Sequence, residues 1–352
     1  MGVAPAFLRQ IASQVDDRLR NVLEGETRRW TEFDADLAQP FHELSRLVLL
    51  GGKHLRSAFC FWGFVGAGGD PSDNRVIDAG AAIELMHAFA LFHDDVMDGS
   101  ATRRGSPTTH TVYSQQHETQ RWAGEPRRFG EGVAILVGDL AFVYADQLLI
   151  DAPSQVWKIW NELRIELNIG QYLDMLGTAQ SERQRAKAER ISRYKSGKYT
   201  IERPLHLGAL LANPKQSSDV LEALSAYGLP LGDAFQMRDD VLGAFGETAI
   251  TGKPVGDDLR EGKPTPLMAM ATARANEQQL HVLQLVGTTG LDNAQIADVQ
   301  QVMIETGALA ELEAHIRALT ERAMAAIRVA PITPDARDSL IELANFVSWR
   351  ET

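Results

Sequence analysis

The chain of 352 residues is 44% hydrophobic and 23% charged, the balance of a soluble globular protein with a sizeable core. Its 35 basic and 47 acidic residues leave a net charge of −12, which argues against general nucleic-acid binding because such binding needs a clustered positive surface. The single cysteine, Cys60, excludes an intrachain disulfide, and its apolar neighbours predict a buried, inert thiol in a reducing compartment.

Helical periodicity dominates the chain. Apolar residues recur every three or four positions in a series of segments, whereas alternating, strand-like runs are absent. The segments are 11–23, 41–49, 76–97, 133–150, 156–175, 220–242, 296–304 and 309–327. No repeat and no flexible linker divides the sequence. We therefore predict an all-α protein with one domain over residues 1–352, built from roughly a dozen or more helices.

Polar and glycine-rich stretches separate these segments. Gly51-Gly52 and residues 68–71 each predict a break between helices, and the polar stretch from His110 to Gly132 predicts a long surface loop. The first thirty residues lack the apolar core of a signal peptide, and no apolar run reaches the roughly 18–20 residues that span a bilayer. We therefore expect a cytoplasmic protein without a transmembrane segment.

The first candidate site is the DDVMD motif at residues 94–98, where an apolar helical run ends. Asp94 and Asp98 share one face of a helix with Cβ atoms about 6 Å apart, so their carboxylates repel each other. A divalent cation between them removes that repulsion, and Mg²⁺ usually completes its shell with water and substrate phosphates. The motif therefore predicts a magnesium ion shared with a polyphosphate ligand.

A second acidic pair, Asp239-Asp240, ends another apolar run. One such pair is weak evidence for a metal, since a solvated helix end has the same composition. Two pairs at the ends of two apolar helices can face one another across a cavity, and this repetition makes the metal site the better interpretation.

Basic residues suited to phosphate binding cluster around the acidic motifs. The GGKHLR motif at residues 51–56 combines a flexible turn with Lys53 and Arg56, and Arg103-Arg104 follows the first acidic motif closely. Further cations in polar, glycine-containing segments are Lys195, Lys198, Lys253 and Lys263. Each lysine alone is best interpreted as a solvated surface residue. Together, in an acidic protein, the four lysines predict local sites for highly anionic ligands.

In this order, from Gly51 to Lys263, the motifs resemble those of the trans-prenyl diphosphate synthases, or polyprenyl synthetase family, and are most similar to actinobacterial geranylgeranyl diphosphate synthases. The resemblance implies the isoprenoid synthase fold, with helices around a central apolar cavity, and a homodimer. It also implies several Mg²⁺ ions per site and chain elongation, in which isopentenyl diphosphate adds to an allylic diphosphate. The expected product is geranylgeranyl diphosphate.

The resemblance implies a role for each matching residue. The expected metal ligands are Asp94, Asp98 and Asp239. The expected isopentenyl diphosphate ligands are Lys53, Arg56, His87 and Arg104. The expected partners of the allylic substrate are Arg103, Lys195, Ser196, Gln236, Lys253 and Lys263, and the group expected to act in catalysis is Asp94, Asp98, Arg103, Lys195, Gln236, Asp239 and Lys253. Ser196 replaces the threonine of the family pattern and keeps its hydroxyl.

One departure from the family pattern affects the second acidic motif. Gly243 stands where many members have a third aspartate. Asp239 must therefore carry most of that metal site, and Asp240 or Asp258 is expected to support it directly or through water.

Three residues of the helix before the first motif are expected to limit product length. Phe89 and Ala90 lie five and four residues before Asp94, where a growing tail must pass, and Met86 lies one turn deeper. In the family, an aromatic residue followed by a small one resembles geranylgeranyl synthases. Plain core packing of Phe89 remains the alternative.

Other functions share part of this pattern. A farnesyl or longer-chain synthase differs only in product length. A class I terpene cyclase shares the fold and the metal aspartates, but it has no second diphosphate to bind. A non-catalytic subunit of a heteromeric synthase tends to lose aspartates or diphosphate-binding cations, and this chain keeps both sets.

Overall fold

The computed structural model describes residues 4–246, 256–288 and 290–349. The protein is 79% helical, which confirms the all-α prediction. The α-helices, numbered along the chain, are α1 (Ala6–Phe33), α2 (Ala38–Val48), α3 (Leu55–Gly66), α4 (Asn74–Asp98), α5 (Thr109–Gln120), α6 (Pro126–Leu148), α7 (Ser154–Ala179), α8 (Arg185–Ser192), α9 (Arg203–Ala212), α10 (Ser218–Phe245), α11 (Asp257–Glu261), α12 (Pro266–Arg274), α13 (Glu277–Leu283), α14 (Asn293–Glu305), α15 (Ala308–Arg328) and α16 (Pro334–Ser348). The other elements are a 3₁₀ turn (Ala35–Leu37), a π-helix (Arg193–Glu202) between α8 and α9, and an antiparallel ribbon of β1 (Thr102–Arg103) and β2 (Ser106–Pro107).

Each predicted helical segment coincides with one observed helix, although several observed helices are longer, and α1 extends beyond its predicted segment by five residues at the start and ten at the end. Helix α4 shows why the first acidic motif closes a helix. The side chain of Asp73 caps its start by accepting a hydrogen bond from the Arg75 amide. Its end is set by Gly99, whose φ of 66° is readily adopted only by glycine. Asp94 and Asp98 consequently occupy the last turns of a well-defined helix.

The prediction of a long surface loop between His110 and Gly132 is wrong. Helix α5 fills its first half, and α6 begins at Pro126. The side chain of Glu125 accepts hydrogen bonds from the next amides and so caps α6, and Pro126 suits the first helical position. A Cβ on Gly130 would overlap the His110 carbonyl, so the two helices meet at backbone distance. Polarity concealed the helices because only a narrow face of α5 is buried.

Buried apolar residues form two clusters, and α10 contributes to both. The larger cluster includes α3, α4 and α9, where α3 packs closely on α9 and Cys60 is fully buried. The smaller cluster joins the last turns of α10 to α12, α14 and α15. Burial raises the pKa of the Cys60 thiol, in agreement with the predicted inert thiol.

By length and composition alone, α4 is the one helix in the described ranges that could span a membrane. In this structure 56% of its most apolar window is buried within the protein, and α4 packs on α6 and α3. Burial inside the protein therefore explains why α4 is so apolar.

Candidate active site

A cavity of about 710 Å³ lies between the loop before α3, helix α4, the π-helix, α10 and α11. Its wall contains most of the residues that the sequence singled out. They are Lys53, Arg56, His87, Arg104, Lys195, Ser196, Gln236, Asp239 and Lys263. Residues from distant parts of the chain thus meet around one space.

The remaining candidate metal ligands lie next to this wall, whereas one candidate lysine lies outside the described residues. Asp94 pairs with Lys195, and Asp98 pairs with Lys263, so the first acidic motif adjoins the cavity through these two lysines. Lys253 lies outside the described residues.

The two outer carboxylates of the first motif have different electrostatic environments. Asp94 Oδ1 accepts hydrogen bonds from Gln171 Nε2 at 2.9 Å and from Lys195 Nζ at 3.2 Å. Burial alone would raise the pKa of Asp94, but Lys195 and other nearby cations lower it to about 2. Burial, followed by the charge of Asp94, raises the pKa of Asp98 to about 6. Burial and the Asp94 charge thus outweigh the nearby Lys263 cation at Asp98, and a divalent cation would offset both.

Asp95 serves a different purpose from its neighbours. It is buried, and its Oδ1 accepts from Arg103 Nε at 2.7 Å. Arg103 Nη2 also lies 3.6 Å from Asp94 Oδ2. The structure makes Asp95 the anchor that holds the Arg103 guanidinium beside the acidic motif.

The β-ribbon directs two consecutive arginines to opposite sides. Arg103 pairs with Ser106 in the ribbon and faces the acidic motif. Arg104 occupies the turn with a φ of 50°, and its Nη1 donates to the Gly51 carbonyl at 2.5 Å. The turn thus explains how neighbouring residues reach two separate parts of the site.

The second acidic motif contains a buried carboxyl with an unsatisfied oxygen. Asp240 Oδ1 accepts from Gln236 Nε2 at 2.9 Å, whereas its buried Oδ2 has no hydrogen-bond partner among the described residues. Burial, with help from Asp258 and Asp239, raises the pKa of Asp240 well above its usual value. A buried oxygen without a partner and a group of carboxylates short of positive charge are both features that a hard cation relieves.

Gly243 is explained by the position of Asp258. A Cβ on Gly243 would overlap the Asp258 carboxylate, so glycine leaves the room that this side chain fills. Lys263 Nζ lies 3.6 Å from Asp258 Oδ1 and 3.4 Å from Asp98 Oδ2, which puts one ammonium between carboxylates of both acidic regions. Asp258 on α11 therefore occupies the space that a side chain at position 243 would otherwise take.

These observations fit magnesium held jointly by protein and diphosphate. Within the described ranges, no three side chains of the usual ligand types converge into a closed metal cage. The candidate donors are oxygens on α10 that line the cavity and oxygens on α4 that adjoin it through Lys195 and Lys263, and Mg²⁺ readily takes its remaining ligands from phosphate and water.

The other end of the cavity is built around Arg56 and His87. Arg56 Nη2 donates to the Tyr199 hydroxyl at 2.5 Å, and that hydroxyl lies 3.0 Å from His87 Nδ1. Burial and the Arg56 charge lower the pKa of His87 well below its usual value, so the imidazole is neutral. Tyr199 was missed in the sequence, although it follows Lys195 by four residues.

A buried acid lies beneath these groups. Glu84, which also escaped the sequence analysis, accepts from Ser57 Oγ at 2.8 Å and lies 3.4 Å from His54 Nδ1. Burial would raise the pKa of Glu84, but the His54 hydrogen bond and charge lower it to about 2. Asp16 of α1 contacts the other nitrogen of His54 at 3.0 Å. The only available signal was that Glu84 precedes His87 by three residues and so shares its face of α4.

The C-terminal helix also reaches the cavity. Lys53 Nζ lies 5.4 Å from the centroid of the Phe346 ring, a cation–π contact. The sequence beyond Lys263 carried no diagnostic motif, so nothing in the linear pattern could have placed Phe346 beside the GGKHLR loop.

The three candidate length-limiting residues lie on α4 outside the wall of the 710 Å³ cavity. Met86 is buried in the core. The Phe89 ring packs between His93 and Phe142 of α6, with centroids 4.6 and 4.7 Å away. Phe142 was not identified from the sequence, because it is distant from every motif.

Comparisons with known proteins identify the family of this chain. The polyprenyl synthetase family model matches residues 38–305. A geranylfarnesyl diphosphate synthase of Aeropyrum pernix is 31% identical over 314 residues, covering 86% of this chain and 92% of that protein. A geranylgeranyl diphosphate synthase of Mycobacterium tuberculosis is 35% identical over 232 residues, covering 64% of this chain and 60% of that protein.

A solved structure extends the similarity to nearly the whole chain. It is a geranylgeranyl pyrophosphate synthase from Corynebacterium glutamicum, complexed with isoprenyl diphosphate and magnesium. It is 36% identical, has a TM-score of 0.92, and the alignment covers 97% of this chain and 99% of that one.

The fold and the site together define a protein of the isoprenoid synthase class. The chain belongs to the polyprenyl synthetase family, and it is a chain-elongating prenyltransferase.

Proposed function

We propose that this prenyltransferase condenses isopentenyl diphosphate with an allylic diphosphate, depends on Mg²⁺, and makes geranylgeranyl diphosphate as its main product. The observation that carries the proposal is that two sets of cations with different partners adjoin one cavity. Arg103 and Lys195 pair with Asp94, whereas Arg56 contacts the Tyr199 hydroxyl beside His87 and Arg104 contacts the Gly51 carbonyl. Two cationic sites suit two diphosphates.

The residues proposed to hold magnesium are Asp94, Asp98 and Asp239, with Asp240 and Asp258 in support. When bound, Mg²⁺ neutralises charge that develops on a departing diphosphate. The related Corynebacterium enzyme is described as a complex with magnesium and isoprenyl diphosphate, which supports the proposal that this chain also binds magnesium and a prenyl diphosphate.

The remaining cations prepare the allylic substrate for ionisation. Arg103 and Lys195 donate hydrogen bonds to the leaving diphosphate and stabilise its negative charge as the carbon–oxygen bond breaks. Lys253 and Lys263 are proposed to join them. The amide of Gln236 and the hydroxyl of Ser196 offer dipoles to the allylic cation without becoming nucleophiles.

The second substrate is held for attack on that cation. Its proposed diphosphate ligands are Lys53, Arg56, His87 and Arg104. The double bond of isopentenyl diphosphate attacks the cation to form the new carbon–carbon bond, and the departed diphosphate accepts the proton that is then lost. No side-chain nucleophile is required.

Two alternatives are less consistent with this site. A terpene cyclase binds one diphosphate, so it would have no use for the buried Arg56–Tyr199–His87 network. A non-catalytic subunit would tolerate loss of the acidic or basic groups, yet both sets are present around one cavity. For product length, the relatives include both geranylgeranyl and geranylfarnesyl synthases, and Phe89 followed by Ala90 favours the shorter of these.

We also propose a cytoplasmic, single-domain chain that forms a homodimer. Exposed apolar side chains recur along one face of α6 and one face of α7, including Leu136, Val143, Ile165, Ile169 and Tyr172. Such stripes at helical spacing suit burial against a second copy. Sedimentation of the purified protein tests the dimer.

Product analysis of the purified full-length chain tests the function. The protein is incubated with Mg²⁺, isopentenyl diphosphate and, in turn, dimethylallyl, geranyl and farnesyl diphosphates, and the dephosphorylated alcohols are identified by mass. We expect geranylgeraniol as the main alcohol. A cyclic hydrocarbon made without isopentenyl diphosphate would indicate a cyclase, and absence of any product would contradict the proposal.

A further inference from the structure

The π-helix that carries Lys195 and Ser196 is an unusual support for a binding site. It runs for 10 residues, from Arg193 to Glu202, whereas π-helical turns are rare and normally single. So long a stretch needs stabilising contacts from outside its own backbone. Those contacts come from α7 on one side and α10 on the other.

Both neighbouring helices approach the π-helix at backbone distance. A Cβ on Gly170 of α7 would lie 2.5 Å from the Lys195 Cα and closer still to its backbone nitrogen. A Cβ on Gly232 of α10 would lie 2.6 Å from the Gly197 carbonyl oxygen. Because the opposing atoms are backbone atoms, a methyl group at either glycine requires the π-helix itself to move.

Ion pairs fix the π-helix at its two ends. At the start, Arg193 Nε and Nη2 reach the two carboxylate oxygens of Asp233 on α10 at 3.0 and 2.5 Å. At the end, Arg203 reaches both oxygens of Glu166 on α7 at 2.7 and 2.6 Å. Bidentate ion pairs of this kind restrict the orientation of the two side chains as well as the distance between them.

Lys195 lies between these fixed ends. Its ammonium donates to Asp174 at 2.6 Å, one turn beyond Gly170 on α7, and to Asp94 at 3.2 Å. A lysine head group depends on its backbone for placement, because its long stem has no preferred direction of its own. A shift of the π-helix therefore moves the ammonium relative to the acidic motif.

We infer that Gly170 and the Arg193–Asp233 ion pair are positioning elements that set Lys195 for the allylic diphosphate. The inference rests on the proposed role of Lys195. These residues act through the backbone of the π-helix and do not touch the substrate. They are distinct from the groups around Arg56 that are proposed to hold isopentenyl diphosphate.

Steady-state kinetics with each substrate varied in turn tests the inference. For Gly170→Ala and Arg193→Gln, we expect kcat/KM for the allylic diphosphate to fall roughly 10- to 100-fold, while KM for isopentenyl diphosphate stays within about twofold. Arg193→Lys, which keeps the charge, should recover part of the loss. The matched controls are Gly25→Ala, where a Cβ meets open space, and Arg20→Gln, which breaks an exposed pair on α1.

Arg193 is half-exposed, so Arg193→Gln remains informative if Gly170→Ala does not fold. An equal loss for both substrates, or none in Arg193→Gln, would overturn the positioning role. The variant Lys195→Ala distinguishes failure of the positioning role from failure of the proposed role of Lys195 itself. If Lys195→Ala weakens the allylic substrate but Arg193→Gln does not, the inference alone fails. If Lys195→Ala behaves as wild type, the proposed role of Lys195 fails with it.

Discussion

The carboxylate of Asp258 occupies the space that a side chain on Gly243 would fill. The two residues belong to different helices, α10 and α11, and only the fold brings them together. The glycine at this position therefore does not leave a gap in the second acidic region, because a carboxylate from α11 takes the place.

Removing the carboxylate of Asp258, or transferring it to position 243, tests whether this carboxylate supports the metal site. We expect Asp258→Asn to raise the Mg²⁺ concentration for half-maximal activity about tenfold, since a charged oxygen near the ion is lost. The double variant Gly243→Asp/Asp258→Gly returns a carboxylate to the same space and should recover much of the response. Calorimetric titration of Mg²⁺ in the presence of inorganic diphosphate gives a readout that does not depend on turnover. Wild-type titration curves for Asp258→Asn would contradict the assignment.

Asp94 provides the more severe test of the metal site. Asp94→Ala removes the proposed ligand, and Asp174 then remains as the hydrogen-bond partner of the Lys195 ammonium among the described residues. We expect kcat to fall by a factor of about 10³ or more while the melting temperature changes by only a few degrees. Circular dichroism and single-turnover assays measure the two effects. Normal turnover with Mg²⁺ would show that the metal site lies elsewhere.

Tyr199 joins two proposed ligands of isopentenyl diphosphate through one hydroxyl. Tyr199→Phe removes that hydroxyl and should raise KM for isopentenyl diphosphate about 5- to 10-fold, in line with roughly 1 kcal/mol per hydrogen bond. KM for the allylic substrate should change little. The matched control is Tyr113→Phe, because the buried Tyr113 hydroxyl has no hydrogen-bond partner in the described ranges. Equal effects of the two variants would rule out a specific role.

The His54–Glu84 contact predicts a pH-dependent contribution to stability. The pKa of Glu84 is lowered to about 2, so its stabilisation is present above the unfolded value of 4.5 and is lost as the pH falls toward 2. The contacts with Glu84 and Asp16 overcome burial and raise the pKa of His54, so its stabilisation is present below 6.5 and is lost as the pH rises through the folded value. The contact between His54 and Glu84 therefore stabilises the protein most between pH 4.5 and pH 6.5, the pKa values of the two groups in the unfolded chain.

Urea unfolding of His54→Asn tests this window. Asparagine tolerates the left-handed backbone at this position, where φ is 44°. We expect a loss of about 2–4 kcal/mol near pH 5.5 and a smaller loss near pH 8.5. Adding Glu84→Gln should restore part of the stability, since the buried carboxylate is then no longer charged. A loss that is independent of pH would contradict the charge interaction.

The sequence was sufficient for the local chemistry and insufficient for contacts between distant segments. Helix α4 and its acidic end followed from apolar periodicity, and Arg56 and His87 followed from motifs. Tyr199 and Phe346 could not be found in this way, because their contacts depend on how the π-helix and α16 pack beside the cavity. The contact of buried Asp95 with Arg103, eight residues later, likewise depends on the β-ribbon, which the linear pattern did not predict. Helix α5 was missed because most of its surface is polar.

The contact between the rings of Phe89 and Phe142 predicts how product length responds to mutation. Phe89→Ala opens space on α4, and Phe142→Ala removes the ring that packs against it, so each variant should shift the main product to longer chains. The guanidinium of Arg164 lies 4.7 Å from the centroid of the Phe142 ring, a cation–π contact that helps to hold this ring in place. Mass analysis of the dephosphorylated alcohols measures the shift, and Phe33→Ala, at an exposed ring of α1, is the control. If Phe89→Ala makes the wild-type product, Phe89 is ordinary core packing. If Phe142→Ala makes the wild-type product but Phe89→Ala makes a longer one, α4 alone limits product length.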